Sequence, residues 1–165
     1  MTQIRMANKV DLAAIAAIHA TTFTRQQYSE EWINCNLNAY PLKRLFIAEI
    51  SAQIVGYILW GEKSGFRQEP VVELEQIAVS PAEQGKGIGY ALILESLEDV
   101  KSAIAARGAT VKTVLVTTRA DNAAQRLYRK ALGARVVATI PALYSADEVI
   151  MVATLAAKRA HIENA

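Results

Sequence analysis

Residues 71–97 read VVELEQIAVSPAEQGKGIGYALILESL, and the order of patterns in this stretch decides the fold. The first nine residues are rich in branched apolar side chains and read as a strand. Ser80 and Pro81 break it. Gly85, Gly87 and Gly89 then crowd one turn. Beyond them Ile93, Leu97, Val100 and Ile104 keep the 4-3-4 spacing of a buried helical stripe. The unit is strand, glycine-rich turn, helix. Glycine this dense costs backbone entropy, so the backbone must approach something closely. A helix start offers unpaired N–H groups and the positive end of the helix dipole, which suit phosphate. The glycines remove side chains that would hold a phosphate off, and Lys86 adds a charge. A pyrophosphate is the natural ligand; a glycine-rich helix entry with no ligand is the alternative. Two phosphate motifs are excluded: the P-loop needs Ser or Thr where Gly87 follows Lys86, and the dinucleotide fingerprint needs glycine where Tyr90 stands.

Working outward, residues 3–7 form a short first strand. Asn8 or Asp11 can cap a helix carrying Leu12, Ile15 and Ile18 on one side. Ser29 is expected to cap a second helix, with Glu30 and Glu31 in its first turn and Pro41 after its end. RLFIAEI and IVGYILWGE pair as a hairpin around a polar turn. After the glycine turn and its helix, closed by Gly108, TVKTVLVTT is a central strand. DNAAQRLYRKAL is a helix ending at Gly133, and ARVVATI and DEVIMVATL are final strands. The order β-α-α-β-β-β-α-β-α-β-β implies an α/β (α+β) mixed sheet with helices on both faces.

The chain has 165 residues, 52% hydrophobic and 21% charged. That fits one domain, expected over residues 1–155, with 156–165 as a tail. A net charge of +2 without a basic block gives no footprint for nucleic acid, though it suits an anionic ligand. No apolar run reaches membrane-spanning length, and the N-terminus lacks a signal core. The single cysteine, Cys35, suits a reducing compartment. The sequence reads as a soluble cytoplasmic protein; a homodimer is allowed and not required.

LEQIAVSPAEQGKGIGYALI resembles the cofactor motif of the Gcn5-related N-acetyltransferases (GNAT), whose loop reads Gln/Arg-x-x-Gly-x-Gly/Ala. Gln84, Gly87 and Gly89 match it, and ADNAAQRLYRKALGA resembles the family's later Asn…Tyr helix. The resemblance implies a mostly antiparallel central sheet and acetyl-CoA as co-substrate, with no metal. The loop from Gly85 through Lys86, Gly87, Ile88 and Gly89 to Tyr90 would hold the pyrophosphate. Ile77, Ala78 and Val79 would pair through their backbone with the pantetheine arm, and Gln84 and Asn122 would touch the cofactor. The activity implied is acetyl transfer to a primary amine: a small molecule, a polyamine or a protein N-terminus.

That chemistry needs an amine without its extra proton, a stabilised carbonyl oxygen and a protonated leaving thiolate. Glu73 and Glu75 precede the cofactor edge, and strand alternation predicts that both share a face with Ile77 and Val79. Glu73 stands where the family's histone-acetylating branch carries its base, and Glu75 where a polyamine-acetylating branch has a glutamate. Mutual repulsion and partial burial are expected to poise one of them for proton transfer. They could instead form ion pairs, or recognise a cation without moving protons. Tyr128 is the candidate acid, and it also falls on the apolar stripe Ala124, Leu127, Tyr128, Ala131. It stands six residues after Asn122 and five before Gly133, where the family pattern has seven and four; Tyr144 is a reserve. Cys35 is expected to pack within its helix. His19 and His161 are too isolated for a metal site. Trp32 and Tyr28 could line an acceptor pocket or pack. The alternative to an enzyme is a catalytically inactive acyl-CoA-binding sensor or assembly module.

Overall fold

A computed structural model of the chain describes residues 1–155; the expected tail, with His161, lies outside the described residues. Seven strands form one sheet: β1 (Thr2–Met6), β2 (Lys43–Ile50), β3 (Gln53–Lys63), β4 (Val71–Val79), β5 (Thr113–Arg119), β6 (Arg135–Ile140) and β7 (Glu148–Thr154). Their spatial order is β1-β2-β3-β4-β5-β7-β6. Every neighbouring pair is antiparallel except β4 and β5. The helices are α1 (Leu12–Thr22), α2 (Ser29–Asn38), α3 (Ile88–Ala105) and α4 (Gln125–Leu132).

Two cores lie on opposite faces of the sheet. On one face, Ile88, Leu92, Ile93, Leu97, Val100 and Ile104 of α3 join Tyr128 of α4 over Ile58, Trp60, Leu74 and Val116. On the other, Ile15 and Ile18 of α1 and Ile33 of α2 cover Leu45, Ile47, Tyr57 and Leu59. The i, i+4, i+7 pattern legible in α3 is the pattern that is buried.

Local signals explain most boundaries. Asn8 caps the turn before α1: its side chain accepts the Val10 N–H, and the Asp11 carboxylate accepts the Asn8 N–H in return. Gly133, with φ of 68°, takes the left-handed position that ends α4. The Ser29 expectation fails. Tyr28, in the left-handed region with φ of 55°, occupies the position before α2, and Ser29 is the first helical residue. Its hydroxyl is engaged instead by His19 Nδ1 at 2.8 Å. Cys35 also departs from expectation: it is exposed on the outer side of α2, whose buried positions are Ile33 and Asn36.

One ion pair joins the first strand to the first helix. Arg5 donates to both oxygens of Asp11, at 2.8 and 2.9 Å, and to Glu49 at 3.0 Å. Asp11 is only 4% exposed, and the Arg5 guanidinium holds its carboxyl below the usual carboxylate range. A lowered native pKa stabilises the fold above the unfolded value, near 3.9, and the contribution disappears as pH falls through the native value. Asp11→Asn should therefore cost about 1–3 kcal/mol at pH 7. In urea unfolding, the gap between wild type and variant should close as the pH drops below about 4.

Candidate active site

The site is built around the place where β4 and β5 part. These parallel strands pair only at Val71–Thr113, Val72–Val114 and Glu73–Leu115. Beyond Glu73, β4 runs on to Val79 and β5 to Arg119 without pairing to each other. The backbone of β4 toward β5 is thus left without a ladder, and such groups demand a partner.

A β-bulge reshapes β4 at the same level. Leu59 faces Gln76 while the next residue, Trp60, faces Leu74, so Glu75 is the extra residue. The bulge switches the faces. Val72 and Leu74 point to the α3–α4 core, whereas Ala78 belongs to the α1–α2 core and Ile77 and Val79 pack against the α3–α4 side. The expectation that Glu73 and Glu75 share a face with Ile77 and Val79 is therefore wrong, because simple alternation ignores the inserted residue. The two carboxylates lie on the α1–α2 side.

Each carboxylate has a lysine. Glu73 pairs with Lys63 at 2.8 Å, and Glu75 with Lys43. The Glu73 partner raises Lys63 above the usual lysine range. Gly61 makes room for the second pair: a Cβ there would lie 2.4 Å from Glu75 Oε1 and 2.9 Å from Lys43 Nζ. The carboxylates thus sit against lysines of β2 and β3 rather than against each other.

The three loop glycines do different work. Gly85 and Gly87 have φ of 77° and 83°, and a Cβ at either would meet nothing within 4 Å. They supply left-handed backbone beside open space. Gly89 instead lets α4 approach, since a Cβ there would lie 3.1 Å from Leu127 Cδ2. Gly87 stands at the N-cap of α3 without a side-chain cap. The N–H groups of Ile88, Gly89 and Tyr90, in the first turn, therefore lack intrahelical partners. Ile88 is buried, so only its backbone faces the loop. Gln84 ties the loop back, donating to the Val79 carbonyl at 3.0 Å. Lys86 is held by Glu83 at 3.0 Å. Tyr90 is partly exposed, with Lys130 over its ring.

Tyr128 is buried at 5% exposure, and burial pushes its hydroxyl up to about 12. Among the described residues the only buried side-chain polar atom without a partner is Glu62 Oε2. The Tyr128 hydroxyl, which meets no protein partner, therefore reaches open space at the edge of its packed ring. The turn that leads into its helix is tight. Gln125 N–H donates to Asn122 and Arg126 N–H to Ala123, a tightened three-residue turn preceding the regular bond from Tyr128 to Ala124. Asn122 shapes that turn: it donates to Thr118 at 2.8 Å and accepts the Ala124 N–H at 2.9 Å.

A buried polar chain on the α1–α2 side escaped the sequence reading. Gln76 Oε1 accepts from the Tyr57 hydroxyl at 3.0 Å and the Trp32 indole at 3.3 Å, and Gln76 Nε2 donates to Gln26 Oε1 at 3.1 Å. Gln26 Oε1 also faces His19 Nε2 at 2.9 Å. His19 is fully buried. Nearby, Arg25 and Arg119 both donate to the Ser145 hydroxyl, at 3.1 and 3.0 Å. Tyr28 and Tyr144 are largely exposed, and Trp32 partly so. Among the described residues, no three His, Cys, Asp or Glu side chains are grouped to hold a metal, and no helix is long and apolar enough to cross a membrane.

The chain as a whole is similar to known proteins. The profile of the acetyltransferase (GNAT) family matches residues 12–134. An L-methionine sulfoximine/L-methionine sulfone acetyltransferase of Salmonella typhimurium is 26% identical over 147 residues, covering 84% of this chain and 82% of the relative. The structure of yncA from Salmonella typhimurium, solved with its cofactor acetyl-CoA, superposes with a TM-score of 0.74 at 26% identity, covering 97% of each chain. The Escherichia coli ribosomal-protein-S18-alanine N-acetyltransferase shares the fold, with a TM-score of 0.71 at 22% identity over 98% of this chain and 99% of that one.

The partnerless hydroxyl makes Tyr128→Phe a clean change. It removes no protein hydrogen bond, so thermal melting should show no loss of stability, whereas Tyr128→Ala should cost about 3–5 kcal/mol through the cavity it leaves.

Proposed function

The chain belongs to the GNAT acetyltransferase family, and on that premise we propose that it moves the acetyl group of acetyl-CoA onto a primary amine by direct attack. The observation that carries the proposal is the opening between β4 and β5, with the uncapped start of α3 at its end. A pyrophosphate at the N–H groups of Ile88, Gly89 and Tyr90 would meet donors that no protein group satisfies. A pantetheine arm laid along Ile77–Val79 would take up backbone groups that β5 leaves unpaired, in the manner of an added strand. Relatives support the ligand: one neighbour was solved with acetyl-CoA. The methionine sulfoximine acetyltransferase, an enzyme for an amino-acid-like compound, supports a small acceptor.

In the reaction the amine nitrogen bonds to the thioester carbon, the C–S bond breaks, and the amine gives up a proton. Glu73, on the acceptor side of β4, is the proposed proton acceptor. Lys63 offsets its charge in the resting protein, so the incoming amine must displace that ammonium, or share the carboxylate with it, to reach the carboxylate. Glu75, paired with Lys43, is its neighbour in the same role. Tyr128 is the proposed donor to the departing sulfur. Full proton transfer from a hydroxyl near 12 to a thiolate of about 8.5 would be uphill by ~5 kcal/mol. The hydroxyl therefore acts as a hydrogen-bond donor that steadies the thiolate, a contribution of about 1.5–3 kcal/mol. Lys86 is a minor contributor, since Glu83 already offsets its charge on an exposed surface.

The test follows thiol release from acetyl-CoA over amino acids, N-terminal peptides, polyamines and aminoglycosides. CoA should raise the melting temperature. Gly87→Glu should abolish that rise, because it places bulk and negative charge in the open space beside the N-cap. Glu73→Gln should leave the rise intact and lower kcat/KM by about 10²-fold, the scale of a general base. Binding of CoA without release of thiol on any amine would favour the inactive acyl-CoA-binding module.

A further inference from the structure

The buried chain of polar groups determines how one exposed side chain is oriented. The Trp32 indole can only donate, so the atom of Gln76 that meets it at 3.3 Å is the amide oxygen. That oxygen also accepts from the Tyr57 hydroxyl at 3.0 Å. The Gln76 nitrogen must then face an acceptor, which makes the Gln26 atom 3.1 Å away its amide oxygen. The same oxygen lies 2.9 Å from His19 Nε2, so that ring nitrogen carries a hydrogen, and Nδ1 meets the Ser29 hydroxyl at 2.8 Å. Gln26 thus turns its oxygen inward to two N–H donors. Its NH2 group points outward from an exposed residue.

The position of this fixed donor matters. Gln26 lies in the segment joining α1 to α2, and its contact with Gln76 seats that segment over β4, one residue past the bulge. The adjacent Arg25 reaches Ser145, between β6 and β7, and Ser145 in turn meets Arg119 at the end of β5. The segment therefore spans the parted strands on the face that carries Glu73 and Glu75. Arg119 is offset by Asp121, which accepts from it at 2.9 and 3.0 Å. The segment offers Gln26 N–H groups and the Arg25 guanidinium, both donors without acceptor capacity.

We infer that Gln26 is a specificity-determining residue, and that the acceptor is a primary amine with a carbonyl or carboxylate oxygen on the neighbouring carbon, which Gln26 holds by its outward N–H. The inference rests on the acetyltransferase reading above and selects within it: α-amino acids and peptide N-termini carry that oxygen, and polyamines do not. The amine end faces the carboxylates of β4 and the oxygen end faces the donors of the α1–α2 segment.

Gln26→Glu tests this directly. A glutamate keeps an inward oxygen for His19 and Gln76, so melting should be unchanged, but it replaces the outward donor with an anion. The assay is thiol release from acetyl-CoA with L-amino acids of aliphatic, aromatic, polar and charged side chains. Each is matched with its decarboxylated amine and with a tripeptide bearing it first. Wild type should prefer the amino acid or the tripeptide over the amine by about 10-fold or more, and whichever of the two leads identifies the source of the oxygen. Gln26→Glu should erase that preference through a selective loss of turnover of the amino acid or tripeptide relative to its matched amine. Equal turnover within the pairs, equal loss across them in the variant, or turnover confined to polyamines or aminoglycosides would overturn the inference and leave the acetyltransferase reading standing. No turnover of any amine would overturn both.

Discussion

The separation of β4 from β5 after three residue pairs is the constraint on which the rest of the molecule depends. Two parallel strands of branched apolar residues would ordinarily continue their ladder, because unpaired backbone groups in a covered sheet are costly. Here the ladder stops, and elements on both faces hold it open. Ile77 and Val79 pack toward α3 and α4, while Gln76 is anchored by Tyr57 and Trp32 on the α1–α2 side. The Glu75 bulge lets one strand serve both cores within a few residues. The slot that results ends at the uncapped start of α3, so unpaired strand groups and unpaired helix groups lie in series.

The two faces of the slot differ in chemistry. The α3–α4 side is apolar, with Tyr128 packed among its side chains. The α1–α2 side carries two lysine–glutamate pairs, a chain of hydrogen bonds from Ser29 to Tyr57, and two arginines bracketing Ser145. A thioester entering from the first side and an amine from the second would meet where the strands divide. The lysine partners keep both glutamates from standing as isolated buried charges, which would be far costlier.

The order of elements along the chain, the stripe of α3 and the glycine turn were legible because each depends on local periodicity or on a residue type with one conformational use. The register of β4 was misread. VVELEQIAV does carry a mark of the bulge: the apolar phase moves from Val72 and Leu74 to Ile77 and Val79 across the adjacent polar pair Glu75 and Gln76, a break that strict alternation passes over. The pairing with β3 fixes Glu75 as the extra residue. The lysine partners were hidden: Lys43 and Lys63 lie 32 and 10 residues from their glutamates in sequence, on other strands. His19 looked isolated because its partners, Gln26 and Ser29, meet it only once α1 and α2 have packed. Its place on the inner side of α1, beside Ile15 and Ile18, was the one available signal that it is buried. Tyr128 was correctly placed inward by its stripe, and the turn that separates it from Asn122 is a tight one.

The central claim is that acetyl-CoA completes the interrupted ladder and caps α3. Amide hydrogen exchange with and without CoA tests it most directly. Protection should rise at the backbone of residues 77–79 and 87–90 together, and remain unchanged along β1 and β2, which are already paired. Protection confined to other segments, or none at saturating CoA, would contradict the account.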